Sequence, residues 1–260
     1  MTVLTGCDAS AALAITEWFI HYWDVARVAA PNRVGDIVDA ALRVFGRSGF
    51  SRAQMADVAE EAGVSVGTLY NYVEGKEALL LLCAGYDLGV DVLDASLPLT
   101  VESRKAFLGK LRQRLDGFAN LPSLESALAR KSAPADVVAE CAQIVGDFFD
   151  FTARTRRGMD ALERSARDIP DVAALFYEDT RIELFENLAT YITRRAKQGA
   201  IPTPIDPFVT ARFAAESLTW MARHRHGDPD GQKLDDELVR QSTIELITRA
   251  ITGGTHATTT

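Results

Sequence analysis

The sequence predicts an all-α chain: an N-terminal three-helix domain built around a helix-turn-helix, then a larger C-terminal helical domain. Three observations carry this prediction. Residues 54–76 stop a short amphipathic helix with glycine and restart it with serine. Apolar residues recur at three-to-four spacing through most of the chain, with no alternating strand runs. Pro98, Pro122, Pro134, Pro170, the Pro202/Pro204/Pro207 cluster and the Gly227–Gly231 loop separate the helical runs. The expected divisions are an extension over 1–30, the reading domain over 31–80, the larger domain over 81–252 and a disordered tail over 253–260.

In the first domain, Val34, Ile37, Val38, Ala41, Leu42 and Phe45 form the inward face of a supporting helix. Met55, Val58, Ala59 and Ala62 then share one face of a second helix, opposite Asp57, Glu60 and Glu61. Gly63 supplies the left-handed turn that ends it, and Ser65 caps a third stretch running through Val66, Gly67, Thr68, Leu69, Tyr70, Asn71 and Tyr72. Two helices joined this way form the unit whose second member enters the DNA major groove.

That member is a poor packing helix. Few of its residues are aliphatic, and Gly67 costs about 1 kcal/mol relative to alanine. A position without a side chain lets the helix approach a phosphate or a base edge, with Thr68, Tyr70, Asn71 and Tyr72 as surrounding donors. The competing reading makes both tyrosines half-buried core residues with wet tips. Gly75 suits the N-cap of the next helix, whose first turn holds Lys76. The helix dipole disfavours a cation there by roughly 0.3–1 kcal/mol, a conflict that a bound DNA phosphate removes. The candidate DNA contacts are therefore Arg33, Arg52, Gln54, Ser65, Val66, Gly67, Thr68, Tyr70, Asn71, Tyr72 and Lys76.

Ala62-Gly63-Val64-Ser65, Gly67-Thr68-Leu69-Tyr70, Tyr72 and Gly75-Lys76-Glu77-Ala78-Leu79 resemble the N-terminal domain of the TetR family of bacterial transcriptional regulators. Arg33, Ile37, Ala40, Ala41, Phe45 and Gly49-Phe50 extend the match upstream, so that it covers roughly Arg33 to Leu82. The family usually has threonine or serine at the position of Gln54 and phenylalanine at that of Val73. In place of the missing hydroxyl, Ser51 and Gln54 make a Ser-x-x-Gln capping box. The resemblance implies a cytoplasmic, homodimeric, ligand-released repressor of a palindromic double-stranded DNA operator. It also implies an inducer pocket in the larger domain, and a lever running along the helix from Lys76 to Leu97.

Composition bounds the alternatives. The 260 residues are 47% hydrophobic and 25% charged, the profile of a globular chain with a sizeable core. Cys7, Cys83 and Cys141 are too scattered for a metal cage or disulfide framework, and suit a reducing cytoplasm. A formal charge of −8 excludes a protein that coats nucleic acid non-specifically. From Pro31 to Leu80, five cations face seven anions, a net of −2, so DNA affinity must come from a few placed donors and from two copies acting together. The extension carries Trp18, Phe19, Tyr22 and Trp23, but Glu17 and Asp24 interrupt it, so it reads as neither signal peptide nor membrane span. It is either an extra aromatic-faced helix or a frayed segment.

In the larger domain, Gly85 and Gly89 share a helix face, which points to a close helix contact in preference to a bend. An apolar or aromatic inducer would meet residues drawn from Phe118, Phe148, Phe149, Phe151, Met159, Phe176, Tyr177 and Trp220, although most aromatics in a bundle are simply core. The last two helices are the expected dimer interface, through Phe208, Phe213, Leu218 and Met221 on one and Leu238, Ile244 and Ile247 on the other. No catalytic residue, cofactor or metal is expected: His224 and His226 diverge on a helix, and no Gly-x-Ser-x-Gly, Gly-Lys-Ser or His-Glu-x-x-His motif occurs. The rival function is a helical small-molecule-binding or protein-interaction protein whose helix-turn-helix is only structural.

Overall fold

The structure, a computed structural model, describes residues 33–86, 97–119 and 121–253, with no side-chain description at 117–119. The aromatic extension, Gly89, the far half of the expected lever helix, the side chain of Phe118 and the tail from 254 onward lie outside what is described. The elements are α1 (Arg33–Ser48), α2 (Met55–Glu61), α3 (Val66–Tyr70), α4 (Lys76–Tyr86), α5 (Arg104–Ala119), α6 (Pro122–Ala129), α7 (Val137–Arg154), α8 (Arg156–Asp168), α9 (Pro170–Ala173), a π-helical segment (Ala174–Thr180), α10 (Arg181–Lys197), α11 (Pro207–Ala222) and α12 (Asp236–Thr252). Among the described residues the one extended pairing is a single bridge between Val73 and Leu99.

Helix α1 buries Ile37, Val38, Ala41, Val44 and Phe45, and Phe45 meets Phe50 at 5.6 Å between ring centroids. Gly49 turns the chain with φ +76°. Helix α2 starts differently from the expected Ser51 capping box. Gln54 is itself the N-cap, its amide donating to Asp57 Oδ2 at 3.1 Å, because the Ser51 amide is already committed to Asp168 Oδ2 at 2.9 Å. Gly63 makes the expected left-handed turn at φ +66°, and Ser65 Oγ accepts from the Thr68 amide at 3.0 Å. Helix α3 closes at Tyr70, two residues early. The Tyr72 carbonyl instead accepts from the Leu99 amide at 2.8 Å, tying the end of the reading unit to the segment after Pro98.

Helix α4 shows why its sequence has no polar face. Ala78, Leu79, Leu80, Leu81 and Leu82 are all buried, since α1, α5 and α8 surround it. A Cβ at Gly85 would run into the Arg114 guanidinium, which donates to the Leu81 carbonyl. The glycine therefore marks a close contact with another helix, made by the charged head group of Arg114 on α5.

The core is one contiguous cluster from Val34 to Ile247, so the reading unit and the larger helical body share their apolar interior. Within that body α7 packs on α12 and α10 on α11, while α8 leaves the bundle to lie against α1 and α4. The fully buried Arg195 links three helices. It pairs with Glu140 at 2.7 and 3.1 Å and donates to the Ala127 carbonyl at 2.8 Å, so its charge is matched where it is desolvated.

Candidate DNA-reading surface and ligand cleft

Helix α3 is anchored by one residue, Leu69, which is fully buried, while Ser65, Val66, Gly67, Tyr70 and Asn71 are exposed around it. Tyr70 is 44% exposed, its ring standing beside the exposed Val66, Gly67 and Asn71 of the same short helix end. A Cβ at Gly67 would meet only Ser65 Oγ, at 3.8 Å, so no internal contact requires glycine there. The Ser65 and Thr68 hydroxyls bond each other at 2.8 Å, which commits the polar side of Thr68 and leaves its methyl group for an apolar contact such as a thymine methyl. Gln54 and Arg52 are exposed beside this surface, with Arg52 Nε donating to the Ser48 carbonyl at 2.9 Å; Arg33 is half-buried at the start of α1.

Two candidate contacts sit elsewhere. Tyr72 is only 9% exposed and belongs to the core cluster. Lys76 Nζ donates to the carbonyls of Phe50 and Ser51 at 3.0 and 3.1 Å and lies 5.0 Å from the Phe50 ring centroid. Its charge resolves the loop between α1 and α2, where the sequence reading placed a phosphate. Arg43 and Arg47 are also engaged, both with Glu61 at 2.8 and 3.3 Å, and their hydrogen bonds hold the Glu61 carboxyl below the ordinary range.

Residues 37–83 match the family model described as bacterial regulatory proteins, tetR family. The N-terminal domain belongs to the TetR family. Over 45 residues it is 40% identical to the fatty acid metabolism regulator protein of Bacillus subtilis, covering 17% of this chain and 23% of that protein. Over 51 residues it is 45% identical to the regulator BetI of Agrobacterium fabrum, covering 20% and 25%. The matched stretch thus spans about a quarter of these curated relatives. PfmR, a TetR family transcriptional regulator from Thermus thermophilus, superposes with a TM-score of 0.53 at 18% identity, over 82% of this chain and 97% of that one. A TetR-family member from Streptomyces coelicolor gives 0.52 at 16% identity over 85% and 90%. At such identity these two likenesses speak for the shared fold alone.

Behind the TetR-family domain, a narrow cleft with about 20 Å³ of free space lies between α7, α8, α10 and α11. Phe148, Met159 and Phe176, three of the residues the sequence offered for a pocket, line it beside Thr152, Glu163, Arg181, Glu216, Arg223 and His224, which sequence reasoning did not group with them. The π-helical segment shapes one wall. Thr180 Oγ1 donates five residues back to the Leu175 carbonyl at 3.0 Å, and Arg181, directly after it, stacks near the rings of Phe176, Tyr177 and Phe185. The other pocket candidates fall away from the cleft. Phe149 is buried in packing, Phe151 is half-buried under Arg154, and Tyr177 and Trp220 face outward.

His224, Asp160 and Glu163 bring ligand-type atoms within 4.8 Å of one another, a grouping that only folding reveals. Arg223 already serves it as the cation, with Nη2 2.7 Å from Glu163 and 2.9 Å from His224 Nε2, and Nε 3.5 Å from Asp160. A guanidinium can only donate, so Nε2 accepts and the imidazole proton sits on Nδ1. Burial, then the charge of Arg223, holds the His224 imidazole below its ordinary value.

Helix α8 touches both the cleft and the TetR-family domain. Met159 and Glu163 line the cleft, whereas Arg157 pairs with Asp39, Arg164 donates to the Gly46 carbonyl at 3.0 Å and Asp168 accepts from Ser51.

The last two helices also sort differently from expectation. Leu218 is 1% exposed and Ile247 is likewise buried, both inside their own subunit's core. Phe208, Met221 and Ile244 are half-covered by it. Phe213, 71% exposed, and Leu238 do face outward, joined by Val209 and Leu246, which sequence reading passed over. Phe213, Met221 and Leu246 border a groove of about 260 Å³ between α11 and α12.

Proposed function

We propose that the chain is a one-component, cytoplasmic transcriptional regulator, a repressor that binds a roughly palindromic operator as a homodimer and is released by a small molecule. The observation that carries this reading is α3: a helix with one buried anchor, an exposed tyrosine, and a glycine that nothing inside the molecule demands. Val66, Gly67, Thr68 and Asn71 would approach base edges, with Tyr70, Arg52 and Gln54 on the backbone. The reading domain would occupy 31–80 and the ligand-binding and dimerisation domain 81–252.

The exposed apolar stripe of Val209, Phe213, Leu238 and Leu246 supports pairing through α11 and α12, because a contiguous apolar face of this kind is costly in water. Two copies would hold their α3 helices about 34 Å apart, one turn of DNA. Helix α8 supports a transmission route: a ligand displacing Met159 and Glu163 would pull on Arg157, Arg164 and Asp168, and so tilt the reading unit. No helix among the described residues is long and apolar enough to cross a membrane.

A band-shift titration against the DNA upstream of the protein's own gene tests the reading. Saturable, sequence-dependent binding by a dimer is expected. Binding no tighter than to scrambled DNA would reject it and favour a helix-turn-helix kept only for structure.

A further inference from the structure

Helix α3 and the residues flanking it, Ser65 to Tyr72, carry no charged side chain. This restricts which bases the helix can read. Guanine is recognised above all by arginine or lysine bonded to O6 and N7, and cytosine by a carboxylate that accepts from N4. The cations of the reading domain are engaged elsewhere. Lys76 holds the Phe50 and Ser51 carbonyls, Arg43 and Arg47 hold Glu61, Arg52 Nε donates to the Ser48 carbonyl, and Arg33 stands at the start of α1, the end remote from α2. What α3 does offer is apolar. Val66 is 41% exposed, Gly67 lets the backbone come close with no internal contact in its way, and the mutual bond of the Ser65 and Thr68 hydroxyls at 2.8 Å uses the polar side of Thr68. Asn71, exposed at the end of the helix, adds an amide that can pair with N6 and N7 of adenine.

We propose that the base pairs beneath α3 in each operator half-site are A·T pairs: thymine methyl groups pack against Val66 and the methyl of Thr68, and Asn71 holds the edge of an adenine. Among the four unmodified bases only thymine presents a methyl group in the major groove, so an exposed aliphatic side chain on a reading helix has one base to recognise. A G·C pair at the same place would set the N4 or O6 of its bases against a side chain that can neither donate nor accept, and would strip them of their water. The choice of A·T therefore comes from a fit and a penalty together. In a two-fold dimer the same contact is made twice, which compounds the preference. The assignment deepens the DNA-reading proposal and rests on it.

The test uses the full-length protein and duplexes selected from a random-sequence pool for tight binding. The selected half-sites should be constrained chiefly to A·T pairs. The tightest duplex is then copied with deoxyuridine in place of thymidine, which removes the methyl groups and keeps every base pair. In band-shift titrations the native protein should bind the thymine duplex about tenfold more tightly than the uracil one. In Val66→Ala that ratio should shrink to about threefold, through weaker binding of the thymine duplex, with the uracil duplex bound much as by the native protein. A side chain that only shapes α3 would shift both duplexes alike. Equal affinity of the native protein for the two duplexes, a ratio undiminished in folded Val66→Ala, or selected half-sites constrained chiefly to G·C would each overturn the proposal and leave the regulator reading in place. If Val66→Ala does not fold, the native ratio and the selected sites decide. A pool that yields no saturable binding would instead reject DNA reading itself, and the proposal with it.

Discussion

The carboxylate of Asp168 accepts the amide of Ser51 at 2.9 Å, joining the last turn of α8 to the loop that leads into α2. A negative side chain at a helix C-terminus opposes the dipole by roughly 0.3–1 kcal/mol, so its place is explained by its partner across the domain junction. Asp168→Ala should cost about 1 kcal/mol and lower Tm by a few degrees. It should also blunt ligand-driven release while leaving DNA affinity without ligand unchanged. Operator titrations with and without ligand check this; undiminished release would remove α8 as the route.

Gly67→Ala separates folding from reading. The added methyl group meets nothing closer than Ser65 Oγ at 3.8 Å, so thermal stability should hold or rise by up to about 1 kcal/mol. Operator affinity should fall at least about tenfold, as the methyl keeps the helix from its bases. A variant that binds DNA normally would show that α3 does not approach the groove at this point.

Lys76→Met should act on the fold and not on the salt dependence. Its ammonium holds two backbone carbonyls, and losing both should destabilise the chain by about 1–3 kcal/mol. In conditions where the variant stays folded, the slope of log K against log salt should match that of the native protein, whereas Arg52→Ala should reduce it by about one unit per bound copy. A reduced slope for Lys76→Met would return this residue to the phosphates.

The sequence signals that proved legible were local ones. Gly63 and Ser65 act within four residues of themselves, and their turn and cap form as their chemistry dictates. The internal partners of Lys76 and Tyr72, which are Phe50, Ser51 and the shared core, were not legible because they lie tens of residues away or belong to the assembled fold. Trp220 and Leu218 exchanged places for a related reason. Helical spacing groups residues on faces but does not say which face meets the bundle, and α11 is apolar on more than one side. Arg223 and Thr152 gave no signal at all, since an arginine and a threonine come to line a cleft only when folding buries them there.

The dimer face should respond to a charge at Phe213 and not at Leu218. Phe213→Asp should yield folded monomers in sedimentation with poor operator affinity, because that ring stands in solvent. Leu218→Asp should instead unfold the chain, costing several kcal/mol for a charge placed in the core. A folded, monomeric Leu218→Asp would reverse the assignment of faces.

Stability should depend on His224 near neutral pH. Burial lowers its value in the folded state, so its contribution is fully present above the unfolded value of about 6.5 and is lost as pH falls, when the unfolded chain takes up the proton first. Tm should therefore drop between about pH 7.5 and about pH 5.5, and His224→Gln should show a smaller drop. Equal slopes in both proteins would place the dependence on other groups, such as His226, whose value burial also lowers.

Arg43 and Arg47, both turned onto Glu61, leave the first helix little positive charge to offer to DNA of arbitrary sequence. Attraction to such DNA is almost wholly electrostatic. A regulator built this way would spend little time parked along the chromosome and would reach its operator by repeated encounters from solution, with only short slides along the duplex. Few copies would be sequestered, so operator occupancy would track the free protein closely, and a modest change in its amount would reach the promoter without first having to saturate a genome of decoys.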